Sequence, residues 1–268
     1  ALTMVAPDSG LSGSAHFAFG GSAVSLGRPA VALRHFAVAI ELPTGAPTLT
    51  IGTRPDVHSR AWAAHAHWLL GQDAAALSSC TDAITTARAI DHPYNLAVAL
   101  GYAGITHQMR HDMAELRDVV GELRQLCDRY GFAYYREWGL VLDGWSRGGE
   151  AGIELARRGI DNLKSEGSLA RMPYWLCLLA DLQQANGHPG AARATLDAAI
   201  VAGQVRDDLW WLPEVQRMRA GYDTEPDAIA RLGVAARLAA AQGSIALLLR
   251  CEHDLANRGK PADVLPLL

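Results

Sequence analysis

Lysine is nearly missing from this chain: Lys164 and Lys260 are the only two among 24 basic residues, so almost every cation is an arginine. A basic excess is missing as well. The formal net charge is −4, without the positive footprint of a nucleic-acid platform, so direct nucleic-acid binding is not expected. Charged residues make up only 19% of the chain against 50% hydrophobic, which excludes a disordered polyelectrolyte. No apolar run approaches the roughly 20 residues that span a bilayer. Ala1 to Ala15 has no basic segment leading into an apolar one, so the expectation is a cytoplasmic protein without a signal peptide or membrane contact. The four cysteines, Cys80, Cys127, Cys177 and Cys251, include no C-x-x-C pair. In a chain of 268 residues, long enough to bury a core unaided, they read as small core fillers.

Catalytic signatures are equally thin. No G-x-x-x-x-G-K-[ST] phosphate loop exists, and Gly259-Lys260-Pro261 puts a proline where a hydroxyl should meet magnesium. Gly144-Trp145-Ser146-Arg147-Gly148 satisfies the letters of the G-x-S-x-G elbow. That elbow needs a strand-to-helix turn, whereas this one follows the helical run Trp138 to Leu142, so Ser146 reads as a chance match. His107 and His111 lie four apart, and His58, His65 and His67 form a second loose group. Neither group has the glutamate of an H-E-x-x-H site, and both read as capping or core hydrogen bonding. The expectation is a non-enzyme with no catalytic residue, cofactor or metal.

What the sequence does contain is a repeat. Leu26-Gly27-Arg28-Pro29-Ala30-Val31-Ala32-Leu33, followed by Phe36 and Ala39, superimposes without a gap on Leu70-Gly71-Gln72-Asp73-Ala74-Ala75-Ala76-Leu77, followed by Cys80 and Ala83. The same small, larger, small triplet recurs as Gly152, Ala156, Gly159, as Ala192, Leu196, Ala199, and as Ala228, Leu232, Ala235. A degenerate sixth copy fits at Glu115 and Val119 after the turn-like Arg110-His111-Asp112. Offsets of four and seven share one face of a helix, and small residues at both ends of the stripe let a neighbouring helix approach closely. Each triplet therefore marks the second helix of a pair. Upstream runs such as Ala61, Ala64, Trp68 or Trp138, Val141, Leu142, Trp145 supply the first.

Stops fall between the pairs, at Asp91-His92-Pro93, Tyr130-Gly131, Glu166-Gly167-Ser168 with Pro173 beyond, and Gln242-Gly243. Strand chemistry is confined to Thr48-Leu49-Thr50-Ile51, which is enclosed by prolines and glycines, so 42–56 reads as a long irregular connection. One helix pair cannot bury its apolar face alone, whereas stacked pairs share a core. The fold predicted is all-α: an α-α superhelix, or solenoid, of about six helix pairs over 14–258. Residues 1–13 read as a linker or frayed end, and 259–268 as a tail.

The Leu-Gly-x-x-x-x-Ala-Leu turn resembles the tetratricopeptide (TPR) pattern, at a longer spacing than its usual 34 residues. A narrower resemblance rests on His67-Trp68-Leu69-Leu70-Gly71, Asp91-His92-Pro93-Tyr94, His107-Gln108-Met109-Arg110, Gly144-Trp145 with Gly148 and Gly152, Pro173-Tyr174 with Leu179-Ala180, and Glu214 with Arg217. In their order and separation these strings, from about residue 14 to 258, are similar to the C-terminal helical region of bacterial STAND-type signalling ATPases. In that family a class III adenylate cyclase, or a LuxR-type or SARP-type transcriptional regulator, is joined to an NTPase and then to such repeats.

The resemblance implies a non-catalytic sensor or interaction module whose concave face binds a protein, peptide or small effector, and whose partners include an NTPase or output domain of the same polypeptide. Counting back from each triplet to the first-helix positions that line the concave face in this family gives His58, His65 and Trp68. Further along it gives His107, Tyr134, Glu137, Val141, Tyr174, Cys177, Asp181, Gln184, Trp210 and Arg217. Aromatics and arginine suit a binding surface, being large and rigid with a polar handle. Glu214 and Arg217, three apart, read as a surface ion pair of little net energy, and Arg157-Arg158 and Arg217 with Arg219 as solvated faces. The alternative function is a self-associating scaffold.

Overall fold

The computed structural model describes residues 11–42 and 53–259. Among the described residues there are thirteen α-helices and no strand. Twelve of them form six consecutive pairs: α1 (Ser12–Ser25) with α2 (Pro29–Glu41), α3 (Pro55–Leu69) with α4 (Asp73–Ile90), α5 (Pro93–Arg110) with α6 (Met113–Tyr130), α7 (Ala133–Arg147) with α8 (Gly149–Ser165), α9 (Met172–Ala185) with α10 (Pro189–Arg206), and α11 (Leu212–Ala220) with α12 (Glu225–Gln242). A single helix, α13 (Ile245–Asn257), closes the array. The strand-like stretch 48–51 and most of both expected tails lie outside the described residues. Two boundaries move: Ser12 and Gly13 already open α1, and Pro55 and Asp56 open α3.

The punctuation follows the sequence. Pro29, Pro55, Pro93 and Pro189 open their helices, where a missing N–H costs nothing. Asp91, His111, Gly131, Asp207 and Gly243 end theirs in the left-handed conformation.

Each first helix packs on its own partner, on the first helix of the next pair and on the preceding second helix. The first helices thus form an inner layer with neighbours on every side. In α5 the chain is buried without a break from Ala97 to Met109, and in α9 from Met172 to Ala180. Second helices bury one stripe only, as in α10 with Ala192, Leu196, Ala199 and Gly203. Five of the six triplets are these stripes. The degenerate copy sits one residue later than the sequence suggests: α6 buries Leu116, Val120 and Leu123, while Glu115 is exposed. There a row of larger apolar side chains replaces the small ones.

The array returns on its own start. The Ser25 carbonyl at the end of α1 accepts the main-chain N–H groups of Leu209 and Trp210 at 2.6 and 3.2 Å. The Gln242 side chain donates to the Leu209 carbonyl at 2.9 Å and lies against Gly27, and α13 packs on α3. Aromatic rings fill the axis enclosed by this closure. From Trp62 they run through Tyr102 (5.6 Å between centroids), Trp138 (5.3 Å), Trp175 (5.2 Å) and Tyr174 (4.8 Å) to Trp211 (5.2 Å), and back to α3 at Trp68 (5.9 Å). Offset and edge contacts at these separations are the favoured arrangements of aromatic pairs.

Candidate functional site

The inner face divides into a sealed part and an open one. In the sealed part, Arg171 opens α9 with φ 62°, a left-handed conformation unusual for a side-chain-bearing residue. Asp208 holds it there, accepting the Arg171 main-chain N–H at 2.7 Å. The Arg171 side chain enters a box of rings, its guanidinium carbon 5.0 Å from the centroid of Trp62, 4.8 Å from Tyr102, 5.6 Å from Trp138 and 5.3 Å from Trp210. Ring faces partly replace the water this cation has lost.

Arg171 Nη1 donates to His65 Nδ1 at 3.3 Å, and His65 Nε2 then donates to the Tyr102 carbonyl at 3.0 Å, which fixes the tautomer. Burial, reinforced by the Arg171 charge, drives the His65 pKa well below its ordinary value. The same two causes bring His58, bonded to the Tyr102 hydroxyl at 3.1 Å, down to about 3. Both imidazoles are neutral at pH 7.

The open part is a groove of about 410 Å³ lined by the C-terminal ends of α5 and α7 and the middle of α9, together with α11 and α13. Trp211 and Cys177 contribute to its lining. Glu214, buried in the first turn of α11, bridges two cations. Arg217 donates to it through Nε and Nη2 at 2.8 and 3.0 Å, and Arg250 of α13 through Nη1 at 2.8 Å. Burial pushes the Glu214 carboxyl up, but the two arginines outweigh it and hold the pKa below the ordinary range. Arg217 also reaches Asp254 at 2.6 Å, and Arg250 donates to the Met109 carbonyl at 2.8 Å. On the opposite wall, Trp145 Nε1 donates to Asp181 Oδ2 at 2.8 Å, and its ring meets His111 at 5.5 Å.

Of the residues that the sequence places on the inner face, His65, Tyr174 and Trp210 are buried in the sealed cluster, with His58 and Tyr134 at its edge. Tyr174 donates to Gln108 there at 2.7 Å. Trp68 is buried beneath the Arg250 guanidinium, 5.0 Å from it. Asp181, Arg217 and Cys177 line the groove. Gln184 is not part of the groove lining; it is exposed and accepts from the Tyr222 hydroxyl at 2.7 Å. His107 is buried beside Asp112, at 3.3 Å. Glu137 faces elsewhere, being fully buried and bonded to Asn162 of α8 at 2.8 Å, and Val141 is core.

The surface ion pair expected of Glu214 and Arg217 is instead a half-buried network around a buried carboxylate, because Pro213 and the closing α13 bring Glu214 inside. Arg219 likewise is not solvated, being 5% exposed between Asp197 and Asp223, whereas Arg157 and Arg158 are exposed as expected. Ser146 ends a helix inside an α-hairpin, its hydroxyl bonded to the Asp143 carbonyl at 3.0 Å, without the strand an elbow requires.

No family model matches the chain. It is 25% identical over 201 residues to an uncharacterized protein of Rhizobium meliloti (strain 1021), an alignment covering 72% of this chain and 20% of the relative. The chain thus spans about one fifth of that relative's length. No group of three or more potential metal ligands occurs among the described residues, and no helix among them is long and apolar enough to cross a membrane.

Arg171, Trp145 and the α13 residues Arg250 and Asp254 escaped the sequence reading as site residues. Only Trp145 carried a usable signal, as the last aromatic of a first helix. α13 has no triplet after it, so counting repeats cannot reach it.

Proposed function

We propose that this chain is a non-catalytic, TPR-like sensor module of a longer bacterial signalling protein, cytoplasmic, and that its ligand binds in the groove between Asp181, Trp145 and the Glu214–Arg217–Asp254–Arg250 network. One observation carries the reading: a buried carboxylate, Glu214, holds two half-buried arginines in place at the edge of an open cavity, with an indole and an exposed leucine, Leu249, in its lining. Most binding sites combine preformed concavity, apolar wall and a few fixed polar groups. Position supports the reading too. The groove is built from four successive first helices and the closing α13, so a ligand there contacts pairs three to six at once, and a preference of a few kcal/mol for one arrangement suffices to shift a switch. The resemblance to STAND-type ATPases assigns the response to an NTPase or output domain of the same polypeptide, and a relative about five times longer than the matched segment is consistent with a module.

The test is a thermal-shift screen of the 268-residue chain against amino acids, amines, sugars, nucleotides, organic acids and short peptides, repeated on Trp145→Ala and Asp181→Ala. One class should raise Tm in the unmodified chain and lose its effect in both variants. A screen without hits, or hits that survive unchanged in the variants, would refute the reading.

A second reading, self-association, is favoured by a different surface. Leu169, Met172, Leu176, Ala198, Val201, Ala202 and Val205 line an apolar groove of about 660 Å³ between the first half of α9 and the last half of α10, where Val205 is 79% exposed. Soluble monomers rarely leave such patches uncovered. Under this reading the molecular mass rises with concentration, and Val205→Asp holds the chain monomeric.

A further inference from the structure

The charges around the groove are unevenly committed, and the imbalance names a ligand chemistry. Arg217 uses all three of its nitrogens, two on Glu214 and one on Asp254. Arg250 uses both terminal nitrogens, on Glu214 and on the Met109 carbonyl. The carboxylates are less occupied. Asp181 has only Oδ2 engaged, by Trp145, and Asp254 only Oδ2, by Arg217. The second oxygen of each has no donor among the described residues. Three carboxylates, Asp181, Glu214 and Asp254, outnumber the two guanidinium groups in the lining, while the Trp145 ring stands beside Asp181.

An anion entering here meets guanidinium groups already in use and an excess of negative charge. A neutral apolar group would strip water from two half-satisfied carboxylates. A flat or compact cation gains charge-assisted bonds to the idle oxygens and can lie on the indole face. On the groove floor, Trp211 is buried and its indole N–H finds no nitrogen or oxygen acceptor, having only the Cys177 sulfur beside it. Sulfur is a weak acceptor. A volume of 410 Å³ suits a single residue or small metabolite rather than a helix.

Building on the groove as the binding site, we infer that it takes a cationic group, guanidinium or primary ammonium, received by the free carboxylate oxygens of Asp181 and Asp254 with its alkyl arm on Trp145. The cation can be a basic side chain of a peptide or a free small amine.

The chain, ¹⁵N-labelled at its tryptophan indoles and with Trp145 and Trp211 assigned by Trp→Phe variants, is titrated with acetyl-arginine-amide, agmatine, acetyl-glutamate-amide and acetyl-leucine-amide. Both cationic probes should move the Trp145 resonance saturably. Asp181→Asn and Asp254→Asn should each weaken them at least ten-fold while the far-UV circular dichroism and the other indole resonances show the fold retained. Tighter binding of acetyl-arginine-amide identifies a peptide residue as the source; tighter agmatine identifies a small amine. If the glutamate or leucine probe moves Trp145 and the cations do not, the charge assignment is overturned while the groove stands. If the Asn variants bind the cations as well as the unmodified chain does, the assignment is overturned as well. If all four probes fail but another class stabilises the chain through Trp145, only the cation is wrong; if nothing binds there, the groove reading falls with it.

Discussion

Arg171 donates to His65 across 106 residues of sequence, and the bond makes a buried imidazole the acceptor for a buried cation. His65 can hold that place only while Nδ1 is unprotonated. Its folded pKa, lowered by burial and then by Arg171, lies well below the 6.5 of an unfolded histidine. The unfolded chain therefore binds more protons, so stability is complete above pH 6.5 and falls as the pH drops toward the folded pKa. Between pH 6.5 and 5.5 one such histidine removes about 1 kcal/mol, and His58 adds up to the same again. Urea titrations at pH 7.5, 6.5 and 5.5 should show the loss well before carboxylates begin to titrate. Arg171→Met should shallow the slope without abolishing it, because burial is the larger cause. A flat profile down to pH 5 in the unmodified chain would contradict neutral, buried imidazoles.

Glu214→Gln tests the network beneath the groove. The substitution keeps the shape but leaves Arg217 and Arg250 without their shared anion, and breaking a buried pair by removing one partner costs about 3 kcal/mol. Arg217 keeps Asp254, so the loss should stop short of unfolding. The Glu214 carboxyl sits below its ordinary 4.5, so its contribution is intact above pH 4.5 and fades only as the pH falls through the lowered value. Equal stability of variant and parent at pH 7 would mean the pair is as weak as an exposed one.

The small triplets mark real contacts, most tightly in the fourth pair. A Cβ on Gly144 would stand 2.6 Å from the Gly152 carbonyl oxygen, and a Cβ on Gly152 would press on the Gly144 carbonyl in return. Both lie against main chain, which cannot swing aside. Gly152→Ala should therefore cost about 1 to 3 kcal/mol despite alanine's better helix propensity. Gly190→Ala, with nothing within 4 Å of its new methyl, should be neutral or stabilising by up to about 1 kcal/mol. Denaturant midpoints of the two variants, measured side by side, decide whether contact or propensity governs.

These contacts were legible because a stripe of small residues is a local pattern, repeated at a helical offset. The third copy slipped by one position because Leu116, Val120 and Leu123 are large, while Glu115 and Val119 beside them imitate the spacing. The closure was not legible at all. Whether Trp68 meets Trp211 depends on the rotation accumulated over several pairs, and no single pair encodes that sum. Hence the inner-face residues could be named but not sorted into sealed and open. Asp181 and Arg217 reached the groove, while His65 and Trp210 went into the axis.

Arg250 offers the most direct test of the closure itself. Its guanidinium lies over Trp68 of α3, bonds Glu214 of α11 and donates to the carbonyl of Met109 in α5, 141 residues away, so one side chain joins α13 to three earlier helices. Arg250→Met keeps most of the stem's packing and removes every polar link. Hydrogen bonds to charged groups contribute about 1.5 to 3 kcal/mol each, and a partly exposed site favours the lower figure, so the two together give an expected loss of about 3 kcal/mol. The loss should be local. Amide exchange should accelerate in α13 and at the C-terminal end of α5, while α7 and α8, to which Arg250 makes no hydrogen bond, keep their protection. Uniform acceleration across all pairs would show that the array unfolds as one unit and that α13 is no separate clasp. No acceleration at all would show that apolar packing through Leu247, Leu248 and Cys251 holds the ring shut without it.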